Sequence, residues 1–155
     1  MPGKFAAWAL AEMGNQGYES LVNALKSNNS IIRANAVSGL GYTKNPEALN
    51  YLLTTLHDKN TEVRLNSVDS IGFLSSIIND NRIEQGLMIA LKDKNIGVQD
   101  TALFWIERNS ETIDDVMIRA LISTLKDFNR EIRKRAADIL ENKTGKKYKW
   151  KRWWD

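Results

Sequence analysis

The sequence predicts an all-α protein, a solenoid of stacked helical hairpins, and three observations lead to this prediction. A stretch of 17 residues recurs in four copies, which begin at Leu25, Leu56, Leu91 and Leu125. The copies start 31, 35 and 34 residues apart, and a period in this range is typical of helical repeat arrays. Their apolar residues follow helical spacing without strand-like alternation. Because one helix pair cannot bury both of its apolar stripes alone, neighbouring pairs must stack.

The first helix of each predicted pair carries apolar residues at positions i, i+1 and i+4, which form a helical stripe. These rows are Leu21, Val22 and Leu25; Leu52, Leu53 and Leu56; Leu87, Met88 and Leu91; and Leu121, Ile122 and Leu125.

The second helix of each pair opens after an asparagine and carries a row of apolar and small residues. The asparagines Asn29, Asn60, Asn95 and Asn129 are suited to capping backbone N–H groups. Small residues in the row allow neighbouring helices to approach closely. The four rows are Ile32, Ala36, Val37 and Leu40; Val63, Ser67, Val68 and Ile71; Val98, Ala102, Leu103 and Ile106; and Ile132, Ala136, Ala137 and Leu140.

We expect a single domain over residues 1–155. The chain opens with a half repeat or N-terminal cap helix, because Ala6, Ala7 and Leu10 align with a second-helix row. The remaining segments are four repeats and a basic, tryptophan-rich cap. The predicted limits are 3–14 for the half repeat, 16–42, 46–77, 81–108 and 112–142 for the repeats, and 143–155 for the cap.

Composition excludes several classes of site. With 43% hydrophobic and 26% charged residues the chain is typical of soluble globular proteins, and no apolar run is long enough to span a membrane. The sequence has no cysteine and one histidine, His57, which argues against thiolate chemistry and the common metal sites. The net charge of +3 arises in the tail: from Lys143 onward six basic residues face one acid, leaving −2 for the preceding body. Such a body is a poor general binder of phosphate.

The turns resemble those of HEAT-like repeats, the short repeats of about 34 residues also found in bilin (phycocyanobilin) lyases. In that family an aspartate lies in the turn and an arginine opens the second helix. Asp58, Asp93 and Asp127 match the aspartate and Ser27 departs from it; Arg33, Arg64 and Arg133 match the arginine and Gln99 departs from it.

The resemblance implies a right-handed α-solenoid (an α–α superhelix) of the HEAT-like or ARM type. It also implies that the turn aspartates and the arginines form a hydrogen-bonded ladder between repeats. The ladder positions would be Arg33, Asp58, Arg64, Asp93, Gln99, Asp127 and Arg133. Their role would then be structural.

Second helices commonly line the concave face of such arrays, so their positions outside the core rows are the candidate binding groove. Two rows vary between copies while the core rows do not. The candidate partner-binding residues are Trp8, Asn35, Ser38, Asn66, Asp69, Thr101, Phe104, Arg135 and Asp138. Two aromatic anchors beside polar and acidic side chains suit a peptide, but the same positions could also be a solvated face.

The tail places Trp150, Trp153 and Trp154 at i, i+3 and i+4, on one face of a helical turn. These indoles could cover the apolar end of the last repeat, as the resemblance implies. Alternatively, aromatics among basic residues could stack on bases or lie at a membrane interface.

We therefore expect a protein–protein interaction scaffold that binds a peptide or protein on its concave face. No catalytic group or phosphate-binding loop is visible, and we expect no enzyme activity, cofactor, metal or membrane contact. Nucleic-acid binding through the tail and the arginine-bearing helices is the alternative; a bilin-lyase-like activity rests on analogy of fold alone. The expected state is a cytoplasmic monomer or a part of a longer repeat array.

Overall fold

The computed structural model describes residues 2–109 and 113–151 of the 155-residue chain. Within those ranges the regular elements are helices and no strand is present, so the predicted all-α class is confirmed. The helices are α1 Pro2–Glu12, α2 Gly14–Ala24, α3 Ser30–Tyr42, α4 Ala48–Thr55, α5 Thr61–Ser75, α6 Asn81–Ala90, α7 Ile96–Asn109, α8 Asp115–Thr124 and α9 Arg130–Thr144.

The chain divides into two compact units, Met1–Gly86 and Leu87–Asp155, and the division falls within α6. The first is called unit 1 and the second unit 2. That the predicted repeats form one domain across both units stays a prediction.

In unit 1 the second helices of successive hairpins lie side by side. Helix α1 packs against α2 and α3, α3 packs against α5, and the hairpins α2/α3 and α4/α5 close on themselves. Helix α1 thus occupies the place of a second helix. The core between these helices consists of side chains that are fully buried, among them Leu21, Val37, Leu40, Leu52, Val63, Val68 and Ile71.

Close approach of α3 to its neighbours depends on glycine. A Cβ added to Gly41 would lie 2.7 Å from the Cβ of Ser70 on α5, and one added to Gly39 would lie 2.9 Å from the carbonyl oxygen of Ala7 on α1. The Ser70 hydroxyl also donates to the Val37 carbonyl oxygen across the α3–α5 contact, at 3.2 Å. The small residues therefore set the helix spacing.

In unit 2 helix α9 packs against α7 and α8. Its buried row contacts a core in which Val98, Ala102 and Leu103 of α7 and Leu121 of α8 are fully buried. Helix α9 ends at Thr144 and is capped by Gly145, whose φ of 70° favours glycine and whose N–H donates to the Glu141 carbonyl oxygen at 2.8 Å.

Two expectations about the apolar rows are wrong in detail. Ile32 is 45% exposed, whereas its equivalents Val63, Val98 and Ile132 are at most 1% exposed. In the first-helix rows the i+1 residue lies at the edge of the core, and Ile122 is 40% exposed, because adjacent helical residues point about 100° apart.

The Gly41→Ala substitution is expected to lower the free energy of unfolding by about 1–3 kcal/mol, since its methyl group would push α3 away from Ser70 of α5. Urea denaturation followed by circular dichroism measures this. The matched control is Gly97→Ala in the first turn of α7, where an added Cβ meets only the Asn95 side-chain oxygen at 3.1 Å. Equal stabilities of the two variants would contradict the proposed spacing constraint.

Candidate functional site

The turn of the first hairpin in unit 1 is joined to the turn of the second by an ion pair. Arg33 donates from Nε and Nη2 to the two carboxylate oxygens of Asp58, at 2.7 and 2.8 Å. Its Nη1 donates to the Ser27 and Asn28 carbonyl oxygens of its own turn. Asp58 in turn accepts from the backbone N–H of Asn60 at 2.8 Å. One guanidinium and one carboxylate therefore hold two turns together.

Burial and geometry mark this pair as structural. The side chains of Arg33 and Asp58 are 8% and 13% exposed. The hydrogen bond from Arg33 holds the pKa of Asp58 below its usual range, and the same bond raises the pKa of Arg33. Both groups stay charged near neutral pH and neither is poised to transfer a proton.

In unit 2 the contact equivalent to Arg33–Asp58 has a neutral donor, Gln99. The amide nitrogen of Gln99 donates to Asp127 Oδ2 at 2.7 Å and to the Leu91 carbonyl oxygen at 3.3 Å. Asp127 Oδ1 accepts from the Asn129 N–H at 2.7 Å. Gln99 thus keeps the hydrogen bond while giving up the charge of the family arginine.

Arg64 and Asp93 each form a hydrogen bond within their own turn. Arg64 Nη1 donates to the Asp58 carbonyl oxygen at 3.0 Å, and Asp93 Oδ1 accepts from the Asn95 N–H at 2.8 Å. The asparagines after the turn aspartates cap the second helices, as Asn60 does by accepting from the N–H groups of Glu62 and Val63.

Arg133 of the last hairpin is bound by the tail. Its Nε donates to the carbonyl oxygen of Trp150 at 2.9 Å, and its Nη1 donates to the Asp127 and Phe128 carbonyl oxygens at 3.1 and 2.9 Å. The ring of Trp150 lies 5.5 Å from both the Arg130 guanidinium and the Lys151 ammonium. Trp153 and Trp154, the other members of the predicted cap, lie outside the described residues.

The candidate groove residues of unit 1 lie on α1, α3 and α5. Trp8 is 53% exposed and Asp69 is exposed. Asn35, Ser38 and Asn66 are half-buried, and two of these polar groups bond to backbone. Asn66 Nδ2 donates across to the Ala34 carbonyl oxygen of α3 at 3.1 Å, and the Ser38 hydroxyl donates to the same oxygen at 3.2 Å.

Three aromatic residues of the same helices were missed by the sequence reasoning. Phe5 is 71% exposed and precedes Trp8 by three residues; Tyr42 is 49% exposed and its ring centroid lies 5.6 Å from that of Phe73. The alignment of the copies holds the signal that would have found them. Phe5 aligns with Asn35 and Asn66, and Tyr42 aligns with Phe73.

The candidate groove residues of unit 2 lie on α7 and α9. Phe104 is 41% exposed and packs edge-on against Trp105, with ring centroids 5.2 Å apart. Arg135 forms ion pairs with Asp100 and Glu107 of α7. The Thr101 hydroxyl donates to the Gly97 carbonyl oxygen, and Asp138 is exposed. Arg135 is thus already engaged within the unit.

Each unit also has a cavity between its first helices, beside the turn aspartate. The cavity of unit 1, about 460 Å³, is lined by Val22, Tyr51, His57 and Asp58 among others. That of unit 2, about 300 Å³, is lined at the equivalent places by Met88, Ala120, Lys126 and Asp127. The two cavities occupy equivalent positions in their repeats, so they are a feature of the helix packing that both units share.

Comparison with known families is consistent with this geometry. The family described as HEAT repeats matches residues 18–82, and the PBS lyase HEAT-like repeat matches residues 4–27. HEAT-like repeats, which the turns resemble, are thus matched over residues 4–82 of the chain. HEAT repeats generally serve as protein-interaction scaffolds.

One solved structure extends the likeness beyond the matched repeats. The crystal structure of an engineered protein, a target of the Northeast Structural Genomics Consortium, is 23% identical, with a TM-score of 0.60 over 90% of this chain and 72% of that one. This likeness concerns the fold and confirms an all-α solenoid. No curated protein matches the sequence.

None of the helices in residues 2–109 and 113–151 is long and apolar enough to cross a membrane. Over the same residues no group of three or more histidine, cysteine, aspartate or glutamate side chains is arranged to hold a metal ion.

Asp58→Asn is expected to lower the free energy of unfolding at pH 7 by about 3–5 kcal/mol, because it leaves Arg33 buried without its counter-charge. A carboxylate with a depressed folded pKa stabilises the fold above its unfolded pKa of about 3.9, and this contribution is lost as pH falls through the folded pKa. The difference between parent and variant should therefore shrink in acid.

Urea denaturation across pH measures this difference. Asp80→Asn is the control, because it removes the partner of Arg82 in a more exposed ion pair. It should lower the free energy of unfolding by less than Asp58→Asn does. A gap between parent and Asp58→Asn that is unchanged from neutral pH down to below the folded pKa would rule out the proposed linkage.

Deletion of residues 148–155 is expected to lower the melting temperature. It removes the Trp150 carbonyl oxygen that accepts from buried Arg133, and one unsatisfied buried donor costs about 1–3 kcal/mol. Calorimetry measures the change, with Lys146→Ala/Lys147→Ala as a control that alters exposed residues only. Unchanged melting after the deletion would refute a capping role for the tail.

Proposed function

We propose that the chain is a non-catalytic scaffold and that unit 1 binds an extended segment of a partner protein on its second helices. The surface consists of the outward rows of α1, α3 and α5 and is called the α1–α3–α5 face. Its residues are Phe5, Trp8, Glu12, Asn35, Ser38, Tyr42, Asn66, Asp69 and Phe73. These residues recur at i, i+3 and i+7 on each helix, so each row shares one helical face.

The observation that carries the proposal is the exposure of aromatic side chains on this face. Phe5, Trp8 and Tyr42 are 71%, 53% and 49% exposed, and the ring of Tyr42 lies against the half-buried ring of Phe73. Aromatic residues at this density on a rigid surface are typical of binding hot spots. When a partner buries these rings, the removal of their apolar surface from water contributes favourable free energy of binding.

The close packing of α1, α3 and α5 also supports this proposal. Gly39 and Gly41 bring the three helices together, and Asn66 and Ser70 donate across the α3–α5 contact. A surface that is ordered before binding loses little conformational entropy when a partner docks.

The charge of the α1–α3–α5 face favours a basic partner. Glu12 and Asp69 are both exposed, and none of the nine residues of the face is lysine or arginine. We therefore infer a segment with apolar side chains for the aromatic rings and basic side chains for the carboxylates.

The corresponding residues of unit 2, Thr101, Phe104, Arg135 and Asp138, are proposed as a second contact surface. Here Phe104 is the aromatic anchor, and Arg135 supports the surface through its ion pairs with Asp100 and Glu107.

Selection of peptides from a displayed random library on the full chain tests the proposal. Selected peptides should be enriched in basic and apolar residues. Trp8→Ala should weaken their binding by tenfold or more, since truncation of an aromatic hot spot costs about 2 kcal/mol or more. Asp69→Lys should weaken it through charge repulsion, more at low salt than at high salt.

The control is Ile77→Ala, which removes a 41% exposed apolar side chain from the connection after α5, outside the face. Isothermal calorimetry with one selected peptide gives the dissociation constants. Peptides whose affinity is unaffected by Trp8→Ala and by Asp69→Lys bind elsewhere, and that result would refute the α1–α3–α5 face as the site.

A further inference from the structure

The turn between α8 and α9 exposes an aromatic side chain that the fold does not use. Phe128 is 93% exposed, the highest value among the large exposed hydrophobic residues of the described chain. The same position in the other copies holds polar residues, Asn28, Lys59 and Lys94. A phenylalanine at a turn tip gains nothing from packing there, so its apolar surface remains available to something outside the chain.

The tail is fastened to this same turn. Arg133 donates to the carbonyl oxygen of Phe128 and to that of Trp150, at 2.9 Å in each case. Arg130 and Lys151 lie 5.5 Å from the Trp150 ring. These contacts place Phe128, Arg130, Trp150 and Lys151 at one end of unit 2, and this cluster is called the basic tip.

Positive charge is concentrated at this end of the sequence. Residues 126–152 contain eleven basic and four acidic residues, a net charge of +7 within a chain of net charge +3. Arg133, Arg135 and Lys143 are engaged within unit 2. The tail lysines at 146, 147, 149 and 151 are exposed to solvent. An anionic partner is therefore favoured.

The geometry favours a lipid surface over a nucleic acid. Proteins that bind single strands combine a basic groove with several aromatic platforms for successive bases. In the described part of the basic tip, Trp150 is half-buried and its ring already lies beside two cations. The ring of Phe128, by contrast, is almost fully exposed and protrudes from a turn. A protruding aromatic side chain surrounded by lysines and arginines fits the headgroup region of an anionic bilayer.

We propose that the basic tip docks on anionic membrane surfaces, with Phe128 inserted among the lipid headgroups and the tail lysines against the phosphates. From the sequence alone a membrane interface is only an alternative for the tail; the exposure of Phe128 is what leads to this proposal. Trp150 can cap unit 2 at the same time, because its carbonyl oxygen and not its ring is what Arg133 holds.

Sedimentation of the full chain with vesicles tests the proposal. Vesicles of phosphatidylcholine mixed with phosphatidylserine should bind the protein, vesicles of phosphatidylcholine alone should bind it far more weakly, and added salt should release it. Phe128→Ala should lower the partition coefficient about tenfold, the worth of one buried aromatic side chain. Lys147→Gln/Lys149→Gln should lower it by roughly fivefold per lysine.

Phe5→Ala is the matched control, because it removes another highly exposed phenylalanine, from unit 1, and should leave vesicle binding unchanged. Phe5 belongs to the α1–α3–α5 face and Phe128 does not, so the two proposals can fail separately. Circular dichroism verifies that the variants fold.

Three results would overturn the proposal. They are absence of sedimentation with the phosphatidylserine vesicles, equal loss of binding in Phe5→Ala and Phe128→Ala, and binding of a fluorescent single-stranded oligonucleotide that depends on Phe128 while vesicles do not bind. The last result would assign the basic tip to nucleic acid.

Discussion

The turn carboxylate is the constraint on which the described structure depends most. Asp58 accepts from the backbone of its own turn through Asn60 and from the guanidinium of Arg33 in the preceding hairpin. A buried arginine needs such a partner, because an unpaired charge in this position would cost several kcal/mol. The pair therefore fixes the second hairpin of unit 1 relative to the first. With the hairpins joined in this way, the small residues Gly41 and Ser70 let α3 and α5 approach closely enough to place their outward rows on a common face.

The departures from the family pattern have local physical explanations. Gln99 replaces the arginine but still donates to Asp127, so the contact survives without charge. Ser27 replaces the aspartate in the first turn, and the position of α1 that aligns with Arg33 holds Gly3 instead of an arginine. For Arg133, the Trp150 carbonyl oxygen is an acceptor supplied by the tail. The geometry of donor and acceptor is maintained while the chemical groups change.

The two proposed surfaces divide by charge and by unit. The α1–α3–α5 face of unit 1 combines aromatic rings with Glu12 and Asp69, whereas the basic tip of unit 2 combines Phe128 with lysines and arginines. Partners of opposite charge would then use different parts of the chain. This follows from side chains outside the core rows, which the helix packing leaves free to vary.

The sequence by itself determined the helices, the pairing of α2 with α3, of α4 with α5 and of α8 with α9, and the asparagine caps of the second helices. Apolar periodicity, the asparagines before the second helices and the small residues facing neighbouring helices are local patterns, and local patterns suffice for these features. The tertiary structure decided which outward side chains are open to partners. Asn66 and Arg135 occupy predicted groove positions yet bond to Ala34 and to Asp100, while Phe5, Tyr42 and Phe128 are exposed without having been predicted. Periodicity shows which way a residue points from its own helix; whether a neighbouring helix meets it there depends on contacts between residues about 30 positions apart.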